Sequence, residues 1–214
     1  MRSFSLAPRL VSLGFSLAAG CGSNSVPATV SRALEPFTAL SVGDALIVEV
    51  AAGPPSVEVS GDASLVNQVV VQQRTAGVTL TSIDNNVLLT DLPLRVKLTT
   101  PSLVNISATQ SSVVRVVGLD APTLDVSADR GSRLILVGGT ATLTVSAMGV
   151  ADVDASNLAA GTVNVRALGG AMVVVSTPGT VQGSVADTSE LVVLGGGRFD
   201  NVEVSRDGKV RAGP

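Results

Sequence analysis

Few side chains in this 214-residue chain can do chemistry. There is no His, Tyr or Trp, and the single cysteine is Cys21. That removes histidine general acid–base catalysis, Ser–His and Cys–His nucleophile pairs, and most zinc sites. Carboxylates remain. Asp152-Val153-Asp154 sets two of them on one face of an extended segment, and Asp125 and Asp129 lie far enough upstream to stack near them in a repeating fold. Clustered acids on one wall, often with calcium, serve β-helical enzymes that cut polysaccharides. The competing reading is a solvated face flanking an inward Val153. It is favoured because sugar-stacking aromatics are missing and no His or Lys lies close in sequence. No catalytic residue and no cofactor is therefore assigned, and Asp152 and Asp154 stand only as weak metal candidates. Gly195-Gly196-Gly197 lacks the Gly-Lys-Ser/Thr ending of a phosphate loop and reads as a corner. Arg130 with Arg133, and Arg206 with Arg211, read as paired surface charges.

The thiol has a different chemistry. Arg2 and Arg9 form a basic n-region, Leu10 to Ala19 is mostly apolar, and the stretch closes Leu17-Ala18-Ala19-Gly20-Cys21. Ten mostly apolar residues are too few to span a bilayer and read as the h-region of an export signal. Small residues before a lone cysteine resemble a bacterial lipobox. The resemblance implies cleavage between Gly20 and Cys21, with lipids on the new amino group and the thiol. The alternative is an ordinary secretory signal with an incidental cysteine. Two or more acyl chains hold a protein stably on a membrane. Gly22 rather than Asp follows the cysteine, which by the enteric sorting rule points to the outer membrane. Residues 1–20 are thus expected to be a lipoprotein signal, and residues 21–36 a polar tether reaching roughly 20 Å.

The elements that would position any site come from a repeat. From Pro101 to Val210 the chain is a series of segments about twenty residues long: Leu103-Val104-Asn105-Ile106-Ser107-Ala108, Leu124-Asp125-Val126-Ser127-Ala128, Leu143-Thr144-Val145-Ser146-Ala147, Val163-Asn164-Val165-Arg166-Ala167, then looser copies at Val181 to Ala186 and Val202 to Arg206. Ala108, Ala128, Ala147, Ala167 and Ala186 fall 20, 19, 20 and 19 residues apart. A fixed period of this size marks a stacked architecture. Within one repeat, Leu124, Val126 and Ala128 alternate with polar residues, which is strand periodicity. Asp129-Arg130-Gly131-Ser132 is a polar corner, Arg133 to Val137 is a second short strand, and Gly138-Gly139 ends it. Two short strands per twenty residues leave no room for a crossover helix. The recurring alanine is expected where the wall turns inward and only a small side chain fits.

Composition agrees. Hydrophobic residues make up 45% and aromatics 2%, so the core is Val, Leu, Ala and Ile. Removing Arg2 and Arg9 from the 14 basic residues leaves 12 against 17 acidic, a net of −5. With no basic patch and no stacking platform, nucleic acid is not an expected partner. Before the clear repeats, strands are read at 37–42, 45–50, 56–60 and 94–99, with a hairpin over 69–81; this half is expected to form less regular coils that cap one end.

The order of these features resembles the auto-transporter adhesin head GIN domain family. It runs Phe37…Leu40-Ser41-Val42, Val48-Glu49-Val50, Val57-Glu58-Val59-Ser60-Gly61-Asp62, Leu65 to Val71, Leu94-Arg95-Val96-Lys97-Leu98-Thr99-Thr100-Pro101, and the Leu-x-Val-Ser-Ala rungs. The resemblance spans Phe37 to Arg211. It implies a right-handed β-helix on a bacterial exported lipoprotein and supplies no catalytic residues. The Gly-Ser-Gly-like corners common in the family are degraded here, at Gln110-Ser111-Ser112, Arg130-Gly131-Ser132, Met148-Gly149-Val150 and Gly169-Gly170-Ala171.

The expected fold is all-β: a single-stranded right-handed parallel β-helix over 37–212 with rungs of about 20 residues, a β-sandwich being the alternative. The expected function is that of a non-enzymatic envelope lipoprotein, surface-exposed or periplasm-facing. It would be held by its lipid anchor and would present a β-wall to other envelope proteins or surface glycans. A polysaccharide-active β-helix enzyme and a periplasm-facing scaffold are the alternatives.

Overall fold

The computed structural model describes residues 26–83, 92 and 94–213. Cys21, the export segment and its cleavage point, and most of the loop after Ile83 lie outside them. The strands are β1 (Pro27–Ala33), β2 (Ala39–Val42), β3 (Ile47–Ala52), β4 (Ser56–Asp62), β5 (Val69–Arg74), β6 (Gly77–Ser82), β7 (Arg95–Thr100), β8 (Asn105–Ala108), β9 (Val113–Ala128), β10 (Arg133–Ala147), β11 (Asp152–Ala167), β12 (Met172–Ser176), β13 (Thr180–Val185), β14 (Glu190–Leu194), β15 (Arg198–Val204) and β16 (Lys209–Ala212), with one 3-10 turn at Val66–Gln68.

Parallel ladders stack these strands into a β-solenoid rather than a face-packed sandwich. Each rung has two main walls. Wall A runs β7, β3, the first halves of β9, β10 and β11, then β12, β14 and β16. Wall B runs β6, β2, β8, the second halves of β9, β10 and β11, then β13 and β15. The inward positions form unbroken columns. On wall A, Val48, Val96, Val114, Leu134, Val153, Val173 and Leu191 are all essentially buried. On wall B, Leu40, Ile106, Val126, Val145 and Val165 continue the same core. Alternation puts every second side chain inside, and stiff β-branched residues fit the pleated wall.

From wall B to wall A the chain turns seven times through four residues, at 43–46, 109–112, 129–132, 148–151, 168–171, 186–189 and 205–208; only the passage from β6 to β7 is longer. In five of these corners the two middle residues both have positive φ without help from more than one glycine: Asp44-Ala45, Gln110-Ser111, Arg130-Gly131, Asp187-Thr188 and Arg206-Asp207. The N–H of the fourth residue donates to the carbonyl of the first, as in Ser132 to Asp129 (3.2 Å) and Ser189 to Ala186 (3.1 Å). This is the pattern of a primed β-turn. Five of the seven corners end in a small buried residue: Ser112, Ser132, Ala151, Ala171 or Ser189. The serines use their hydroxyls to stitch rungs. Ser132 Oγ donates to the Ala108 carbonyl at 2.8 Å, and Ser189 Oγ accepts from the N–H groups of Gly170 and Ala171 at 3.2 and 3.1 Å.

Because the corner is fixed, changes in rung length fall at the opposite bend. Between Val117 and Leu119, Gly118 is an extra residue relative to β10, and β11 carries an extra residue between Asp154 and Asn157. These bulges make 20-residue rungs beside a 19-residue one. They also correct one reading: the chain does not leave the sheet at Gly138-Gly139 but bends there with its ladder intact. Four alanines of the recurrent column are in register and buried, Ala108, Ala128, Ala147 and Ala167. Ala186 is not the fifth. Val185 pairs with Ala167, because that rung has lost bend residues and is two shorter than the rung before it and one shorter than the rung after it.

Two further readings are corrected at the N-terminal end. Pro27–Ala33, read from composition as part of the tether, is an edge strand paired antiparallel with β4 along its whole length. Its side chains are mostly exposed, so backbone hydrogen bonds hold it and leave no periodicity in the sequence. The first rung in sequence is also not the first in space. β2 and β3 lie between β6–β7 on one side and β8–β9 on the other. The hairpin over 69–81 forms as expected, as β5 and β6. Leu34, Phe37, Leu65 and Val66 close this end with buried side chains.

Replacing the fully buried Leu134 with Ala is expected to cost about 3 kcal/mol, read as a lower urea midpoint. Thr188 is β-branched at φ 66°. Asparagine tolerates that region far better, so Thr188→Asn is expected to add about 1 kcal/mol and raise the melting temperature by about 2–4 °C.

Candidate functional surface

The acids singled out for chemistry do not converge. Asp152 faces outward on wall A and pairs with Arg133 across the rung at 3.2 Å. Asp154, two residues on, accepts from the hydroxyl and N–H of Ser156 at 2.6 and 3.1 Å. Asp125 is on wall B, between Asn105 and Thr144, and Asp129 sits in a corner against Arg130. The expected stacking of Asp125 and Asp129 near Asp152 and Asp154 therefore does not occur. The alternation that aligned them in sequence places them on different walls. Among the described residues no group of three or more His, Cys, Asp or Glu could hold a metal ion. The arginines are ion-paired: Arg130 with Asp129, Arg133 with Asp152, Arg206 with Asp187 at 3.3 Å and Arg211 with Glu190 at 2.6 Å. Gly195 and Gly196 both have positive φ in the turn between β14 and β15, a corner as read.

The two walls differ outside the core. Wall A's outward positions mix aliphatics with charges that face one another. In register order, Glu58, Lys97, Glu49 and Arg115 alternate in sign across four adjacent strands. Val113, Val117, Ile135, Met172 and Val174 lie among the charges. Opposite charges on facing strands stabilise a sheet modestly; these four face one another in register without closing an ion pair.

Wall B is polar throughout its central rungs. Three outward columns run along the stack: Thr123, Thr142, Thr162 and Thr180; then Asp125, Thr144, Asn164 and Gln182; then Ser127, Ser146, Arg166 and Ser184. Asn105 and Ser107 extend the last two columns onto β8. No apolar side chain interrupts this grid. Its rungs are roughly 4.8 Å apart, and successive outward residues on one strand are roughly 6.6 Å apart. Among the described residues these side chains make no hydrogen bond or ion pair to the rest of the chain. Hydroxyls and amides with free donors and acceptors are therefore held at regular intervals on a rigid sheet.

Near its C-terminal end the grid sinks into a trough of about 640 Å³, lined by Thr144, Ser146, Asn164, Arg166, Gln182, Ser184, Asn201 and Glu203. Gly183 shapes it. This residue occupies the inward column after Val145 and Val165, at φ 132°, and a Cβ there would overlap the Val165 carbonyl oxygen. The next strand carries an extra residue between Phe199 and Val202, where Asn201 has φ 60°. The trough is open to solvent; its lining mixes these polar groups with Val145 and Val165 and carries no aromatic side chain. The sequence held the signal for this surface in the x and Ser positions of Leu-x-Val-Ser-Ala and in threonines at near-constant spacing. Those positions served there only to define the repeat.

Gly183→Ala is expected to cost about 3 kcal/mol, since it combines overpacking with an unfavourable φ. Hydrogen exchange should show β13 and β15 losing protection before β9 and β10.

Known proteins share this architecture. A family model described as "Putative auto-transporter adhesin, head GIN domain" matches residues 36–197. A crystal structure of a putative adhesin from Bacteroides fragilis superposes with a TM-score of 0.67 at 13% identity, covering 87% of this chain and 97% of that one. A putative adhesin from Parabacteroides distasonis gives 0.55 at 13% identity, covering 89% and 98%. One from Parabacteroides merdae gives 0.51 at 11% identity, covering 89% and 98%. At these identities the likeness is one of fold. No curated protein matches the chain.

Proposed function

Since the chain belongs to the auto-transporter adhesin head GIN domain family, we propose that it is a non-enzymatic envelope protein whose wall B binds surface glycans. The observation that carries this is the grid of unpartnered hydroxyl and amide groups on β9, β10, β11 and β13. A neutral polysaccharide presents hydroxyls at close, regular intervals, and a rigid array of donors and acceptors can engage several at once. Without an aromatic platform, each contact is weak. Strength then comes from many copies displayed on one surface, because linked weak sites gain avidity without new contacts. An acylated Cys21 and an exported N-terminus would provide that display on the outer membrane.

A polysaccharide-cleaving role has less support. Cleavage of a glycosidic bond uses two carboxyl groups flanking the bond, and on wall B the acids Asp125 and Glu203 lie at opposite ends of the grid. A periplasm-facing scaffold would use the same wall and differs only in orientation.

Two measurements test the proposal together. Cells displaying the triple variant Ser146→Ala, Asn164→Ala, Gln182→Ala should adhere to glycan-coated surfaces at least tenfold less than wild type. A wall A control, Val174→Ser with Met172→Ser, should adhere normally. Equal adhesion by both variants overturns the wall B assignment. Protease shaving of intact cells, with a Cys21→Ala chain and a periplasmic protein as controls, reads orientation. Clipping of the body while the periplasmic marker survives is expected. Clipping only after the outer membrane is opened refutes surface adhesion in favour of the scaffold.

A further inference from the structure

The two ends of the solenoid are finished differently. At the N-terminal end, antiparallel strands β1, β4 and β5 flank the stack, and Leu34, Phe37, Leu65 and Val66 are buried in the core. At the C-terminal end, β15 and β16 are edge strands among the described residues. The inward positions there stay open: Phe199 is 43% and Val204 50% exposed, and Val202 and Val210 are only partly covered. An unprotected edge carrying apolar side chains is a ready template for another strand, and stacked repeats need their last unit covered.

We propose that a second copy of this chain covers it, β15 pairing antiparallel with β15 of the other copy about a two-fold axis between Asp200 and Asn201. Charge selects this arrangement. In that register Arg198 of each copy faces Glu203 of the other, and Phe199 faces Val202. The facing directions agree with the structure. Arg198 and Glu203 follow the outward residues Thr180 and Ser184, whereas Phe199 and Val202 follow the inward positions Val181 and Gly183. The bulge at Asp200-Asn201 falls on the axis, so its extra residue upsets neither flank. The competing pairing, β16 on β16, would set Lys209 against Arg211 of the other copy, and like charges on facing strands destabilise. Because the two-fold pairing uses β15 of both copies, two copies close on each other and no filament results. The pairing leaves the central rungs of wall B free and does not depend on the glycan reading.

The test is disulfide trapping in cells of the full chain carrying Asp200→Cys, with the unmodified chain as the control for any Cys21 linkage. An oxidised dimer band is expected. It should fall at least tenfold with Arg198→Glu or with Glu203→Arg, each of which sets like charges opposite, and return when both are combined. Circular dichroism melts of the exposed-site variants should match the parent, showing that the loss lies in pairing and not in folding. Absence of the dimer band, a band unchanged by the single reversals, a double variant that fails to restore it, or a ladder of larger species would each overturn the proposal.

Discussion

Everything in this structure depends on a corner of constant length. Parallel ladders require each strand to lie in register on the one before it, and slipping by one residue would turn every side chain to the other face. Seven four-residue corners deliver the chain from wall B to wall A at the same phase. The constancy costs backbone strain: Gln110, Ser111, Arg130, Asp187, Thr188, Arg206 and Asp207 all adopt positive φ without being glycine. Such residues persist only where the surroundings over-determine them. Here the surroundings are the stacked corners themselves, through bonds such as Ser111 N–H to the Arg130 carbonyl and Thr188 N–H to the Arg206 carbonyl.

With the corner fixed, the outer faces can specialise. Wall A devotes its polar positions to itself, pairing Arg133 with Asp152 and Arg211 with Glu190. Wall B keeps its hydroxyls and amides uncommitted. Both walls bury the same kind of core, so the difference between them is not demanded by folding. Each surface ion pair is worth little, and the stability of the rung rests on columns such as Val114, Leu134, Val153 and Val173.

The solenoid was legible because its physics is local: Leu-x-Val-Ser-Ala gives the strand period, and the spacing of Ala108, Ala128, Ala147 and Ala167 gives the rung. What escaped the sequence is non-local or backbone-borne. β1 pairs through its main chain, which any residues can supply, so Pro27–Ala33 looked like a linker. Val185-Ala186 carries an alanine one position away from where the shortened rung needs it, and identity alone cannot reveal a lost bulge. The carboxylates at 125, 129, 152 and 154 align by period but are parted by the corner, which turns neighbouring sequence onto different walls. The polar grid was visible residue by residue; its freedom from internal partners required the structure.

The placement of β2 and β3 bears on how the chain reaches this state. Leu40 pairs with Val78 on one side and with Ile106 on the other. A polypeptide emerging from its N-terminus can therefore pair its earliest rung with β6 and β7 first, and covers the other side of that rung only when β8 and β9 follow. Long-range parallel pairing is slow to nucleate, and an exposed apolar strand in the meantime invites misassembly. The core thus cannot consolidate progressively from its first residue. Its first rung is covered on both sides only once β8 and β9 have emerged, so consolidation starts from the middle of the chain rather than from its N-terminus.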